Sequence, residues 1–430
     1  MRERLSVGLS LSLSGAYAAM GRQAEAAIKL LVDDLNAAGG VRVGGRAREL
    51  VLSCHDDRSD TRRCAEIYSA LCGSERVDLL LGPYSSRLAR AAAPIAEAAG
   101  MMMLNHGGAD DGLYTRGMRM LAGVLSPASD YLVAFARLLI ELKLWRKRLA
   151  IVIAATPFAS DVGRGLEQAC HERRARLRGV RVRLKYRGDF DRSDALARLL
   201  PALKRNRVNA LAAAGSFAQD VALMRVVVAS NLNIPVVGCV AAGVHRFAEE
   251  LGEDAEGIVG PSQWEEHARI DPQLGPPPAE FARRMRAIGI GECDYPAAQV
   301  YAAGLIGCAA IRECDSLDQR RMRDAIGEMR TSTLYGDFAI DRVSGRQIAH
   351  KMLLVQWHMG RKAIIEPQSH TETGAIEFPS GWRLILASMR GLKLTLGGGA
   401  RDDDESGEEN LNEGDRDGGR RDRRDGGDDE

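Results

Sequence analysis

Residues 78–90 read DLLLGPYSSRLAR. An unbroken apolar run stops at Gly-Pro, and a tyrosine and two serines then lead into a helical pattern. A run that is apolar on both faces reads as a strand buried inside a parallel sheet, because only such a strand has both faces covered. Two small hydroxyls at the strand-to-helix turn have two roles open to them. One serine caps the helix, the ordinary role of serine there, or one faces a ligand at the helix start. The two roles are compatible, since Ser85 and Ser86 are separate residues.

The same unit repeats outward from this stretch. MGRQAEAAIKLLVDDLNAAGG (20–40) places Ala24, Ile28, Leu31 and Leu35 on one helical face and stops at Gly39-Gly40. RELVLSCHDD predicts a strand, TRRCAEIYSALCG a helix, VDLLLGP a strand, SRLARAAAPIAEAAG a helix and MMMLN a strand. A second series begins at DYLVAFARLLIELKL. It continues through the strands RLAIVIAA, VRVRLKYRG, ALAAAG and IPVVGCV, with helical segments between them. This rhythm predicts an α/β fold of two doubly wound parallel sheets. Between about 257 and 278 it breaks into a Gly- and Pro-rich crossing segment, and helices resume at EFARRMRAIG. The segment 335–366 predicts two strands, with AIDRVSGRQIAH as a hairpin loop and KMLLVQW as a buried strand, and the structured unit is expected to end near Pro379–Trp382. From Gly397 onward, acids outnumber bases and apolar residues are scarce, so 397–430 predicts a disordered charged tail.

Composition narrows the function. A chain of 430 residues exceeds a single core, which rarely grows past about 250–300 residues. A formal net charge of +1 gives no electrostatic case for nucleic acid. No run of about 18 apolar residues predicts a membrane span, so no direct membrane insertion is expected. The eight cysteines (54, 64, 72, 170, 239, 293, 308 and 314) form no C-x-x-C and no zinc spacing, and are expected mostly to be small buried thiols. There is no G-x-G-x-x-G, no G-x-x-x-x-G-K-[ST], no G-x-S-x-G and no H-E-x-x-H. Hence no catalytic residue, metal site or cofactor is expected, and an enzyme is the weaker reading. The start, MRERLSVGLSLSLSG, shows no secretory signal, which by itself points to the cytoplasm.

In open parallel sheets, ligands bind beyond the carboxyl ends of the strands. Those ends read SLSGAYAAMG, GPYSS and LNHGGAD in the first series, and TPFASD, GSFAQD and CVAAG in the second. Small residues and hydroxyls before helices leave backbone N–H groups free for a carboxylate or carbonyl.

The segments LSGAYAAMGRQAEAAIKLLVDDLNAAGGV, LLLGPYSS, LNHGGADD, SPASDY, GIVGPSQW and AAQVYAAGLIGCAAI, in that order, resemble the type I periplasmic binding proteins of the leucine/isoleucine/valine and amide class. So does the closing TSTLYGDFAIDRVSGRQIAHKMLLVQWHMGRK. These proteins are the solute receptors of ABC importers. The likeness spans about residues 5–367. It implies two lobes joined by three crossing strands, placed near 121–127, 257–264 and 330–338. Lobe 1 would hold 1–121 plus 262–330, and lobe 2 would hold 122–261 plus 331–382. The resemblance also implies a periplasmic protein that binds a small molecule and meets ABC-transporter permease subunits. A cytoplasmic amide-type sensor on the same fold is the alternative.

Position by position, the resemblance implies ligand contacts from Tyr17, Tyr84, Ser85 and Ser86, and from the loop Asn105, His106, Gly107, Gly108 and Ala109. The second lobe would add Phe158 and Phe217. Amino-acid binders of this class carry an acid after the strand matching IPVVG, to pair the ligand ammonium. Here CVAAGV has none until Glu249. An uncompensated buried ammonium is costly. An α-amino acid therefore fits only if Asp161, Asp220 or Glu265 turns inward. Within the expected range of amides, carboxylates and branched-chain amino-acid-like compounds, an amide or carboxylate with an apolar tail fits better.

Overall fold

The computed structural model describes residues 3–142, 147–230, 232 and 234–367. The expected end near Pro379–Trp382 and the charged tail lie outside them. The first sheet holds β1 (Glu3–Leu11), β2 (Val41–Val43), β3 (Arg46–Asp56), β4 (Leu79–Leu81), β5 (Met103–Asn105) and β6 (Leu121–Gly123). Their order is β2-β3-β1-β4-β5-β6, all parallel except the β2–β3 hairpin. The second sheet runs through β7 (Lys147–Ile153), β8 (Val180–Arg187), β9 (Ala210–Ala214), β10 (Val236–Cys239) and β11 (Val259–Ser262). A separate hairpin, β12 (Thr331–Thr333) and β13 (Gly336–Phe338), precedes β14 (Leu353–His358) and β15 (Arg361–Glu366). The second sheet's order is β15-β14-β11-β10-β9-β7-β8, parallel except for the antiparallel pairings β11–β14 and β14–β15. The apolar runs LLL of β4 and ALAAA of β9 are buried along their whole length, as a doubly covered sheet requires.

Each lobe draws on distant sequence. The helix Tyr295–Cys314 packs on the helix Ala18–Ala37 of the first lobe, so closely that a Cβ at Gly304 would meet Leu31 at 2.1 Å. Between those helices, the Tyr301 hydroxyl donates to Asp34 at 2.7 Å. The chain crosses to the second sheet after Gly123, returns after Ser262, and crosses again between the helix Gln319–Glu328 and β14. The segment 339–350 forms an irregular loop closed by an Ile340–Gln347 bridge, and residues 353–357 are buried.

One side chain ties the three crossings. Gln263, on the second, accepts from the Ser126 N–H of the first at 3.0 Å and from the Tyr335 hydroxyl of the third segment at 2.6 Å. Its side-chain amide donates to the Tyr131 hydroxyl at 2.7 Å, and its main-chain carbonyl accepts from His350 Nε2 at 3.0 Å. That bond makes His350 Nε2 the protonated nitrogen, so Nδ1 accepts from the Ser126 hydroxyl at 2.6 Å. The Tyr335 ring stacks on His350 at 4.4 Å, and Gln299 of the first lobe donates to the Tyr335 hydroxyl at 2.9 Å.

All eight cysteines are unpaired, and six are buried. Among the described residues no helix is long and apolar enough to cross a membrane.

Gln263→Leu keeps the volume but strands two donors, the Ser126 N–H and the Tyr335 hydroxyl, and removes the donor to the Tyr131 hydroxyl at the hinge. It is expected to lower stability by on the order of 3 kcal/mol in denaturant unfolding, and a change below about 0.5 kcal/mol would show that the hub is not needed.

Candidate functional site

The loops at the carboxyl ends of the first-lobe strands are bound into one wall. Asp57, fully buried beyond β3, accepts from the hydroxyls of Ser10 at 2.7 Å and Ser12 at 2.5 Å and from the Ser59 N–H at 2.9 Å. Ser59 in turn accepts from the Tyr17 N–H at 3.0 Å, which fixes the first loop. Tyr17 meets Tyr84 edge to face at 5.8 Å between ring centres, and the Tyr84 hydroxyl bonds that of Tyr295 at 2.8 Å. Burial pushes the Tyr84 phenol up to about 12, with the Tyr295 hydrogen bond working against it.

The turn GPYSS divides the two serine roles in an unexpected way. Ser85 occupies the cap position of the helix Ser86–Ala98, yet its side chain makes no capping bond. Ser86 accepts instead from the Asp110 N–H at 3.2 Å, which ties the turn to the next loop. The first amides of that helix have no intrahelical acceptor, so an uncapped, partly exposed helix start stands beside Tyr84.

The loop 105–110 is built mostly for its own shape. Asn105, fully buried, donates to the Gly108 carbonyl at 2.7 Å and the Tyr114 hydroxyl at 2.8 Å, and accepts from the Gly108 N–H at 2.9 Å. Its side chain is spent on the loop. Gly107 lies against the Pro83–Tyr84 backbone, where a Cβ would stand 2.5 Å from the Pro83 carbonyl oxygen. Burial lowers the His106 imidazole to about 4, so the ring is neutral. Ala109 is buried, and its carbonyl accepts from the Ala128 N–H at 2.7 Å, across the first crossing.

The second lobe faces this wall with Tyr131 and Phe158, edge to face at 5.2 Å. Burial raises the Tyr131 and Tyr295 phenols above their ordinary range. Tyr84 adds to both shifts, and Tyr131 adds to that of Tyr295, so the three phenols lie close enough to feel one another. Sequence reasoning missed Tyr131 and Tyr295. The one sits at the end of SPASDY, and the other opens the helix that begins YPAAQ. Phe217 is not joined to this cluster by a ring contact; Arg246 lies over its face at 4.7 Å.

Each of the three acids that might hold an ammonium already has a partner within the protein. Glu265 pairs with Lys362 at 2.9 Å, both only 2% exposed, and Lys362 also reaches Asp294 at 3.3 Å. Asp294, at the start of the helix Tyr295–Cys314, bonds His245 Nδ1 at 2.8 Å, so this cluster also joins the lobes. Asp161 pairs with Arg164 at 2.7 Å and accepts from the Asp111 N–H at 3.1 Å across the first crossing. Burial and the Asp111 carboxylate raise its pKa. Asp110 next to it is held below the usual carboxylate range: burial opposes ionisation, but the Arg90 guanidinium outweighs it. Asp220 lies fully buried beneath the CVAAGV loop, where it accepts from the Ala241 N–H at 2.9 Å. Burial lifts its carboxyl to about 7.

A separate cavity of about 160 Å³, lined by residues that include Trp264, Asp271, Tyr335 and His350, lies at the hinge and includes neither Tyr84 nor Ser85. Among the described residues no group of three His, Cys, Asp or Glu side chains is placed to hold a metal.

With this cleft between two α/β lobes described, comparison with known proteins decides the family. Residues 4–362 match the Periplasmic binding protein family. The chain belongs to that family. Its fold is that of solved periplasmic binding proteins. It resembles a putative branched-chain amino acid ABC transporter from Rhodospirillum rubrum at 22% identity and TM-score 0.65, over 84% of this chain and 100% of that one. The substrate-binding protein LivJ of Streptococcus pneumoniae, in complex with isoleucine, is 18% identical with TM-score 0.70, over 85% and 100%. A solute-binding protein of R. palustris, in complex with benzoate, is 20% identical with TM-score 0.67, over 84% and 95%.

Asp220 gives this binding protein a pH signature. Folding lifts its pKa from 3.8 to about 7, so the folded state holds the proton that the unfolded state gives up. Its contribution is therefore most favourable below pH 4 and is lost as pH rises to 7, by up to about 4 kcal/mol at about 1.4 kcal/mol per unit. Asp220→Asn should raise the melting temperature more at pH 8 than at pH 4. Equal shifts at both pH values would contradict the assignment.

Proposed function

We propose that this periplasmic binding protein is the solute receptor of an ABC importer, and that it closes its lobes over a small carboxylate or amide with a flat apolar body. The observation that carries this reading is the uncapped start of the helix Ser86–Ala98, set beside the Tyr17–Tyr84–Tyr295 wall. A helix start favours negative charge or a carbonyl, and the rings supply apolar faces. The Ser85 hydroxyl and the first amides would hold the polar end. Tyr84, Tyr131, Tyr295 and Phe158 would enclose the rest, with Tyr17 at the edge. Ser86, Asn105, His106, Gly107, Gly108 and Ala109 would shape the wall, and Phe217 would act from the second-lobe rim. Glu265, Asp161 and Asp220 are each engaged elsewhere, which removes the partner an α-amino acid would need.

The moving bodies would be 1–121 with 262–330, and 122–261 with 331–382, turning about the Gln263 hub. The protein would act in the periplasm, deliver its ligand to permease subunits, and bind without turnover. In a thermal-shift panel, benzoate and small amides should stabilise the protein more than leucine or valine. A largest shift from leucine or valine would overturn the ligand class. Ser85→Ala should weaken benzoate binding by about 1–3 kcal/mol in calorimetry, and unchanged affinity would remove Ser85 from the site.

A further inference from the structure

The second lobe carries a surface that ligand binding does not use. Residues 173–187, RRARLRGVRVRLKYR, hold eight Lys and Arg and no Asp or Glu, in a chain whose net charge is +1. They form the short helix Arg173–Leu177 and the edge strand β8, which among the described residues pairs only with β7. Along β8 exposure alternates: Arg181, Arg183, Lys185 and Arg187 face solvent, while Val182, Leu184 and Tyr186 pack on the core. Residues two apart on a strand lie about 6.7 Å apart, so the four cations form a row of about 20 Å. Arg173 and Arg176 add charge beside it from the short helix. Lys185 pairs with Glu167 and Arg174 with Glu141. Among the described residues no carboxylate lies within ion-pair distance of the other six.

Charges on an edge strand discourage strand pairing between copies, and one or two suffice for that. The six cations without a carboxylate partner in these fifteen residues repel one another, and an anionic partner relieves that repulsion. Leu177 stands among them with 76% of its surface exposed. The exposed large apolar side chains among the described residues include no aromatic, so this face offers single-stranded nucleic acid no stacking platform. Its five-residue helix is also too short to read a groove. A row of cations around an exposed leucine has the chemistry of contact with lipid headgroups.

We propose that this face docks the protein peripherally onto an anionic bilayer surface, with the cations on lipid phosphates and Leu177 at the headgroup boundary. Docking of this kind is separate from ligand binding and stands whether or not the importer reading holds. The test is cosedimentation of the full-length protein with vesicles of phosphatidylcholine alone or mixed with phosphatidylglycerol. Binding is expected only to the mixed vesicles and is expected to vanish near 1 M salt, where the screening length falls to about 3 Å. The triple variant Arg181→Glu, Arg183→Glu, Arg187→Glu should bind at least about tenfold more weakly, with its melting temperature kept. Leu177→Ser should weaken binding further at a given salt concentration. Equal binding to both vesicle types, or a triple variant that binds like the parent, would overturn the proposal. So would a DNA oligonucleotide that binds this face while mixed vesicles do not.

Discussion

The Gln263 side chain is the constraint on which the rest of the structure depends. Its amide oxygen accepts from Ser126 and Tyr335, its nitrogen donates to Tyr131, and the main-chain carbonyl of the same residue accepts from the His350 ring. All of these groups are buried, so each lost bond leaves a desolvated polar atom. An apolar residue there would allow the crossings to slide. The amide sets their register, because donors and acceptors match in only one arrangement. From that register follows the placement of Tyr131, which hangs from the hub and meets Phe158 edge to face.

The charged groups around the cleft are used in pairs, and this shapes what can enter. Lys362 is shared by Glu265 and Asp294 in a buried cluster that joins β15 to the helix start at Tyr295. Breaking one member would leave an uncompensated buried charge, which is why such groups are not spent on a ligand. Asp220 is committed to holding the CVAAGV turn, and Asp161 to Arg164 and the Asp111 amide. What stays uncommitted at the wall is the neutral polar start of one helix and a set of aromatic faces. On the proposed reading, the cleft would select by shape and by a single polar end.

Much of the fold was legible because parallel sheets force apolar runs such as LLLGP and ALAAA, and the helices between them carry a clear period. The turn GPYSS was legible as a strand end facing a cleft. The division of labour within it was not, because Ser86 is claimed by Asp110, 24 residues away, while Ser85 fills the cap position without capping. The missing acid in CVAAGV was plain in the sequence. That Asp220 supports that loop from beneath was not, since the bond depends on how β9 and β10 align. Tyr84 and Tyr295 are 211 residues apart, and Gln263 lies 137 from Ser126. No local pattern marks such contacts; only the crossing topology brings them together.

The central claim is that one polar end of the ligand sits on the start of the helix Ser86–Ala98 while tyrosines from both lobes enclose the remainder. A crystal structure of the protein grown with benzoate tests it most directly. The account predicts the carboxylate within about 3 Å of the Ser85 hydroxyl and the first helix amides, with the ring between Tyr84 and Phe158. A benzoate whose carboxylate instead meets Lys362 or the 240–245 loop, with its ring toward Ser85, would contradict it.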